Sequence, residues 1–468
     1  MKPDLEKIYL SCPVFLQNVF CSLEGWRINR KRYYKVFYKH LQEYEEHRFW
    51  DYELLEKYRN QRLAEFIKYC ENYIPYYKKR FNKLGISSAN IHNYEDLKYI
   101  PVLNKNTVRE NYNEFSSGMI PKKELSIAHT SGSTGSGLRF AVTSNAMSEQ
   151  WAVWWRYRRW HGIPFNTWCA YFGGRSVVPV IQNNPPFWRV NYPGKQVFFS
   201  GYHIKPENIK HYLRKLKQLK PEWIHGYPSL ISLIASYILE NGTSLNFIPK
   251  WITTGAENLL PQQRKVIKEA FGIEPHQHYG LAEGAANMSE CEYDNLHVDE
   301  DFSAVEFIPG DEGVYRIIGT NFTNYATPLL RYDTGDIAQL ESPSFKCPCG
   351  RLGRIVKAVD GRLEDYVLLK NGTKIGRMDH IFKDTVNIRE AQICQSIPGE
   401  ITVHIVAGHD YSLTDEKEII KQFEKRVGKD TKITIKYMKE LQRPGHGKLR
   451  FVISKTPADA YSKQTCCN

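Results

Sequence analysis

The sequence predicts an α/β protein in which a large N-terminal domain is followed by a small α+β C-terminal domain. Three observations lead there. From about Ile127, short β-branched and aromatic runs alternate with helical stretches across Gly/Pro turns, the pattern of a largely buried sheet flanked by helices. After about Asp360 the texture changes to two-residue apolar alternation around a single helix. The 468 residues also exceed what one hydrophobic core usually supports, and 42% hydrophobic with 13% aromatic residues is ample to fill more than one.

The first stretch, residues 1–95, reads as helical. Basic and aromatic side chains interleave in Arg27-Ile28-Asn29-Arg30-Lys31-Arg32-Tyr33-Tyr34-Lys35 and Tyr76-Tyr77-Lys78-Lys79-Arg80, a mixture that single-stranded nucleic acid also favours. Acidic residues such as Glu43, Glu45, Glu46 and Asp51 are mixed in and the apolar positions recur at helical spacing, so amphipathic packing helices are expected and a nucleic-acid partner is not. Residues 96–362 form the body, with helices predicted at Pro206 to Leu219 and Leu260 to Phe271. Trp151, Trp154, Trp155 and Trp160 fall at the spacings of a packed helix and read as core or pocket lining. Residues 363–468 form the small domain: alternation over Glu400 to Ala407, a helix opening at Thr414 and stopping at Gly428, then strands at Lys432 to Met438 and Leu449 to Ile453.

Composition bounds the function. The formal charge of +13 favours anionic partners such as nucleotides or phosphorylated substrates. Ten scattered cysteines without an export signal point to reduced thiols, and no run of roughly 18 apolar residues is present to span a bilayer, so a cytoplasmic protein is expected. Oligomeric state is not legible.

The chemistry begins at His129-Thr130-Ser131-Gly132-Ser133-Thr134-Gly135-Ser136-Gly137-Leu138-Arg139. Glycines let backbone N–H groups converge, hydroxyls add donors and Arg139 adds charge, which suits a polyphosphate as well as a plain flexible turn. It is not a Walker loop, lacking Gly-Lys-Ser/Thr at the required spacing. Further segments follow in order: Thr254-Gly255-Ala256-Glu257, Tyr279-Gly280-Leu281-Ala282-Glu283, Tyr332-Asp333-Thr334-Gly335-Asp336, Gly361-Arg362-Leu363-Glu364-Asp365 and Arg443-Pro444-Gly445-His446-Gly447-Lys448. In series they resemble the motifs of the acyl- and aryl-adenylate-forming superfamily, in its phenylacetate-CoA ligase-like branch and there the CapK-type proteins of capsular polysaccharide gene clusters.

The resemblance implies a large adenylate-forming domain and a small mobile C-terminal one. It implies that Thr130, Ser131, Gly132, Ser133, Thr134 and Gly135 hold the ATP phosphates with Arg139 nearby, and that Gly255, Ala256 and Glu257 line the adenine pocket. Tyr279 and Gly280 would pack along the nucleotide, Glu283 would hold Mg²⁺, and Asp336 and Arg362 would contact the ribose. Lys448 would bridge the attacking carboxylate and the α-phosphate, so that Lys448, Glu283 and Thr134 carry catalysis, with Glu364 or Asp365 as the pivot. The function implied is ATP-dependent adenylation of a carboxylic acid followed by transfer to an acceptor such as CoA. The segment Lys370-Asn371-Gly372-Thr373-Lys374-Ile375-Gly376 departs from CoA-forming members, which leaves open an amide-forming ligase acting on an amino sugar or amino acid in capsule or O-antigen synthesis. A non-catalytic nucleotide- or nucleic-acid-binding protein is the reading from another class. Separately, Cys291, His297, Cys347 and Cys349 form either a structural zinc set or unligated buried side chains.

Overall fold

The computed structural model describes residues 8–130, 138–175, 177–179, 181–204, 206–257, 259, 261–310, 315–360, 367–371, 374–375, 378, 381, 388–407, 411–439, 441 and 452–454. Among them a twelve-stranded mixed sheet forms the body. Its parallel part runs, in spatial order, Pro275–Gly280, Trp251–Gly255, Trp223–Gly226, Cys169–Gly173 and Gln196–Ser200, with Trp188–Asn191 antiparallel at the edge. Beyond Pro275–Gly280 the sheet turns antiparallel through Asn287–Glu290, Leu296–Val298, Ile355–Asp360, Tyr332–Leu340, Tyr315–Thr320 and Ala304–Pro309.

Successive side chains of a strand point to opposite faces, and the parallel strands are apolar on both. Ala170, Phe172, Ile224 and Ile252 face the helices Pro206–Leu219, Pro228–Glu240 and Pro261–Phe271, packing on Tyr212, Ile231 and Ile267. Cys169, Tyr171, Trp223 and Trp251 face the other way, toward Ala152 and Trp155 of helix Ser144–Trp160 and Phe37, Leu41 and Tyr44 of helix Lys35–Glu46. The helix Pro206–Leu219 has its expected bounds and the one expected from Leu260 begins at Pro261, because proline marks the first turn of each.

The first helices are built into the body. Leu63, Phe66 and Ile67 of helix Tyr52–Tyr73 and Tyr77 of helix Pro75–Leu84 share one core with Phe140, Leu329, Leu330 and Tyr332. Buried ion pairs reinforce this seam: Asp301 accepts from His47 Nδ1 at 2.7 Å and from Arg156 Nη2 at 3.1 Å, while Glu300 pairs with Arg59 and accepts from Arg354 Nε at 2.8 Å. Burial alone would raise the Asp301 carboxyl, but Arg156 and His47 hold it below the usual carboxylate range.

The C-terminal unit is a four-stranded sheet in the order Lys432–Tyr437, Glu400–Ala407, Ile388–Ile397 and Val452–Ser454. Ile419, Phe423 and Val427 of helix Leu413–Val427 pack on Ile393, Ile401 and Val403. That helix starts one residue before the expected Thr414, because Ser412 caps it in a capping box with Asp415; Gly428, at φ 81°, ends it. Arg426 Nη2 donates to Tyr202 Oη of the body at 2.8 Å, and Arg109 Nη2 to the Ile388 carbonyl at 3.2 Å. Among the described residues no helix is long and apolar enough to cross a membrane.

Candidate active site

The strands on either side of the glycine-rich stretch, Leu125–His129 and Arg139–Thr143, pair antiparallel as a hairpin in which His129 faces Arg139. Buried Thr130 closes its base twice: its N–H donates to the Leu138 carbonyl at 2.9 Å and its Oγ1 accepts from Leu138 N at 2.8 Å. The next five motif residues, Ser131, Gly132, Ser133, Thr134 and Gly135, lie outside the described residues, as do Arg362, Glu364, Asp365 and Lys448. Arg139 is exposed, its guanidinium 5.4 Å from the Tyr112 ring centre. The hairpin is fixed to the body because Ala141 N donates to Thr327 Oγ1 and Asn324 Nδ2 donates to the Ala141 carbonyl, both at 3.0 Å. A small cavity between them is lined by Phe140, Val142, Glu283, Thr323 and Asn324, which brings the buried Glu283 carboxylate to the foot of the hairpin.

On the other side of Glu283 are the strand ends. Gly255 ends its strand, Ala256 follows at φ 66°, a left-handed turn, and Glu257 comes next. A Cβ on Gly280 would lie 2.6 Å from Asn287 Oδ1, so the chain there admits only glycine. Tyr279 Oη donates to Asp336 Oδ2 at 2.8 Å, and Asp336 N donates to Thr334 Oγ1 at 3.1 Å. Burial, then the Asp336 charge, pushes the Tyr279 phenol well above its ordinary range, and Glu283 acts in the same direction. Glu283 thus lies within electrostatic reach of the bonded pair Tyr279 and Asp336, with Gly255 to Glu257 at the end of the neighbouring strand. The crevice beyond the carboxyl ends of parallel strands is where open α/β sheets bind ligands. Beneath it His225 donates or accepts at Thr253, with Nδ1 2.8 Å from its Oγ1. Burial first and then the Arg158 charge depress both His225 and His278 to about 3, so both are neutral imidazoles. The sequence did not single out Arg158, since it shares one Trp/Arg-rich run with Arg156.

The four predicted metal ligands do meet. One donor atom from each of Cys291, His297, Cys347 and Cys349 lies within 4.8 Å of the others. The Cys291 and Cys347 sulfurs are 3.6 Å apart and Cys349 Sγ is 3.3 Å from His297 Nε2. Tetrahedral zinc with Zn–S near 2.3 Å needs sulfurs about 3.8 Å apart, so the donor set and its spacing fit that ion. Gly350, at φ 70°, makes the Cys-Pro-Cys-Gly turn, while Asn295 Nδ2 and Arg351 N each donate to a sulfur at 3.4 Å, to Cys347 and Cys349 respectively.

Comparison with known proteins bears on this arrangement. Residues 367–455 match the family described as the CapK C-terminal domain. Protein CapK of Staphylococcus aureus is 29% identical over 457 residues, covering 96% of this chain and 99% of that one. The chain is thus similar to protein CapK along nearly its whole length. It is also 25% identical over 345 residues to phenylacetate-coenzyme A ligase of Thermus thermophilus, covering 68% of this chain and 72% of that one. In fold it is similar to the crystal structure of 2-hydroxyisobutyryl-CoA ligase in complex with 2-HIB-AMP and CoA, with a TM-score of 0.56 at 16% identity over 90% of this chain and 93% of that one.

Proposed function

We propose that this protein adenylates a carboxylic acid with ATP and transfers the acyl group to CoA. The observation that carries the reading is the position of Glu283, which lines a cavity with Phe140 and Val142 of the hairpin and acts on the bonded pair Tyr279 and Asp336. The names of the relatives, phenylacetate-coenzyme A ligases, support it. In the first half-reaction a carboxylate oxygen attacks the α-phosphorus, the bond to the bridging oxygen of the β-phosphate breaks and pyrophosphate leaves. In the second, the CoA thiolate attacks the acyl carbon, the C–O bond to AMP breaks, and the thiol proton has gone to solvent.

Thr130 to Gly135 cradle the β- and γ-phosphates with backbone N–H groups and hydroxyls, and Arg139 adds charge at the loop's exit. Gly255, Ala256 and Glu257 line the adenine, Tyr279 and Gly280 flank the nucleotide, and Asp336, with Arg362, accepts the ribose hydroxyls; the Tyr279 hydrogen bond holds the carboxylate in place for this. Glu283 is the hard oxygen donor that would hold Mg²⁺, which when bound offsets phosphate charge. Lys448 offsets the charge that grows as the carboxylate approaches phosphorus, and the small domain pivots at Glu364 or Asp365 between half-reactions. A reaction drawing on ATP and CoA belongs in the cytoplasm, and the CapK-type resemblance points to capsular polysaccharide biosynthesis.

The test is carboxylate-dependent exchange of labelled pyrophosphate into ATP over a panel of acids. Lys448→Ala should lose that exchange by at least about 100-fold with an unchanged unfolding curve, and full retention would refute the role of this lysine.

Cys291, His297, Cys347 and Cys349 would hold a structural zinc, because four protein ligands leave no position open for chemistry. Purified protein should carry about one zinc per chain, and chelation should lower Tm while Mg²⁺ addition does not restore it. Metal-free protein with an unaltered Tm would exclude the site.

A further inference from the structure

Helix Ser144–Trp160 carries two buried arginines in opposite circumstances. Arg156 pairs with Asp299 at 2.7 Å and with Asp301. Arg158, two residues on and so on the other side of the helix, is only 7% exposed, yet among the described residues no carboxylate reaches it. What surrounds it is aromatic: its guanidinium lies 4.9 Å from the Trp155 ring centre, 5.3 Å from Trp223 and 5.6 Å from Trp151. Cation–π contacts offset only part of the cost of taking a charge out of water.

Arg158 has company of the same sign. Arg32 stands 4.0 Å over the Trp151 ring, and Arg175, exposed just past the end of strand Cys169–Gly173, stands 5.2 Å over Phe198. Neither has a carboxylate partner among the described residues; Glu24, whose charge reaches Arg175, is engaged by Arg27 Nε at 2.7 Å. Burial pushes Arg32 down to about 10, and the charges of Arg175 and Arg158 act in the same direction. The cluster lies against the sheet face that carries Tyr171, His225, Thr253 and His278, and three of these strands end on that face in Gly173, Gly255 and Gly280. At each glycine a Cβ would meet a neighbouring side chain, Tyr171 at Gly173, His278 at Gly255 and Asn287 at Gly280, so the strand ends there admit nothing larger.

We propose that Arg158, approached past Arg175 and Arg32, binds a second anionic group on the acid being activated, so that the substrate class is acids with two negative charges. The inference rests on the adenylation reading. It names the partner that the buried guanidinium lacks within its own chain, a carboxylate or a phosphate at the end of the acid remote from the reacting carboxylate.

Pyrophosphate exchange on the full chain tests it, using acids matched except for the second charge: phenylacetate against 4-carboxyphenylacetate and 4-phosphooxyphenylacetate, and butanoate against glutarate. A dianionic member should exceed its monoanionic partner in kcat/KM by about 30-fold or more, and Arg158→Gln should bring that ratio near one. The carboxy and phosphooxy arms tell which anion is taken. Arg158→Gln should also raise the Tm of the ligand-free protein, since it removes an unpaired buried charge. A lower Tm with an unaltered ratio would make the cation a structural filler of its aromatic cage and overturn the proposal. Exchange that favours the monoanionic acids overturns it too and leaves adenylation standing; no exchange with any acid overturns both.

Discussion

Tyr279 and Asp336 lie 57 residues apart in the chain, and their 2.8 Å hydrogen bond is a contact that only the fold creates. Hydrogen bonds to charged groups contribute about 1.5–3 kcal/mol, so Tyr279→Phe should raise the KM for ATP by about tenfold with little change in Tm. Asp336→Ala should cost more, because it removes the proposed ribose acceptor as well. An unchanged ATP KM in Tyr279→Phe would mean that the carboxylate is positioned by other groups. Both residues stand out in the sequence through their motifs. Their bond does not, and neither does the difference between Arg156 and Arg158, whose roles are set by which carboxylates the 299–301 segment brings to one side of the helix.

At the scale of elements, punctuation decides what is legible. Helices that begin at Pro206 and Pro261, and the one that stops at Gly428, can be bounded by reading, since proline and glycine act through local backbone geometry. The last helix starts at Leu413 rather than Thr414, because Ser412 and Asp415 cap it reciprocally through bonds that only the folded chain makes. Ser412→Ala should destabilise the small domain by about 1 kcal/mol, read as a lower urea midpoint with an unchanged slope. Strand order is not legible: runs buried on both faces say that a strand is interior but not which strand is its neighbour. That order is what places the ends at Gly255 and Gly280 side by side and so makes a crevice from separate motifs.

Across the whole molecule, burial of imidazoles ties stability to pH. His225 and His278 are pushed down to about 3 and His161 to about 4, burial being the largest cause each time. Below their unfolded pKa near 6.5 the unfolded chain takes up protons that the folded one refuses, so stability is complete above that value and is lost as pH falls toward 4. At pH 5.5 each contributes about 1 kcal/mol of loss, and Tm should drop measurably between pH 7.5 and 5.5. Replacing His225 by Asn should flatten that slope; a slope unaffected by the replacement would place the proton uptake elsewhere.

The seam at 299–301 has a bearing on how the chain can be dissected. From the leading helices Glu300 takes a counter-ion, Arg59, and Asp301 a hydrogen bond, from His47; their other partners come from the body. A fragment begun after those helices would keep every motif of the crevice, yet leave one buried carboxylate short of a positive charge and the other short of a hydrogen bond. The stretch whose sequence says least about catalysis is therefore a condition for having a folded enzyme at all.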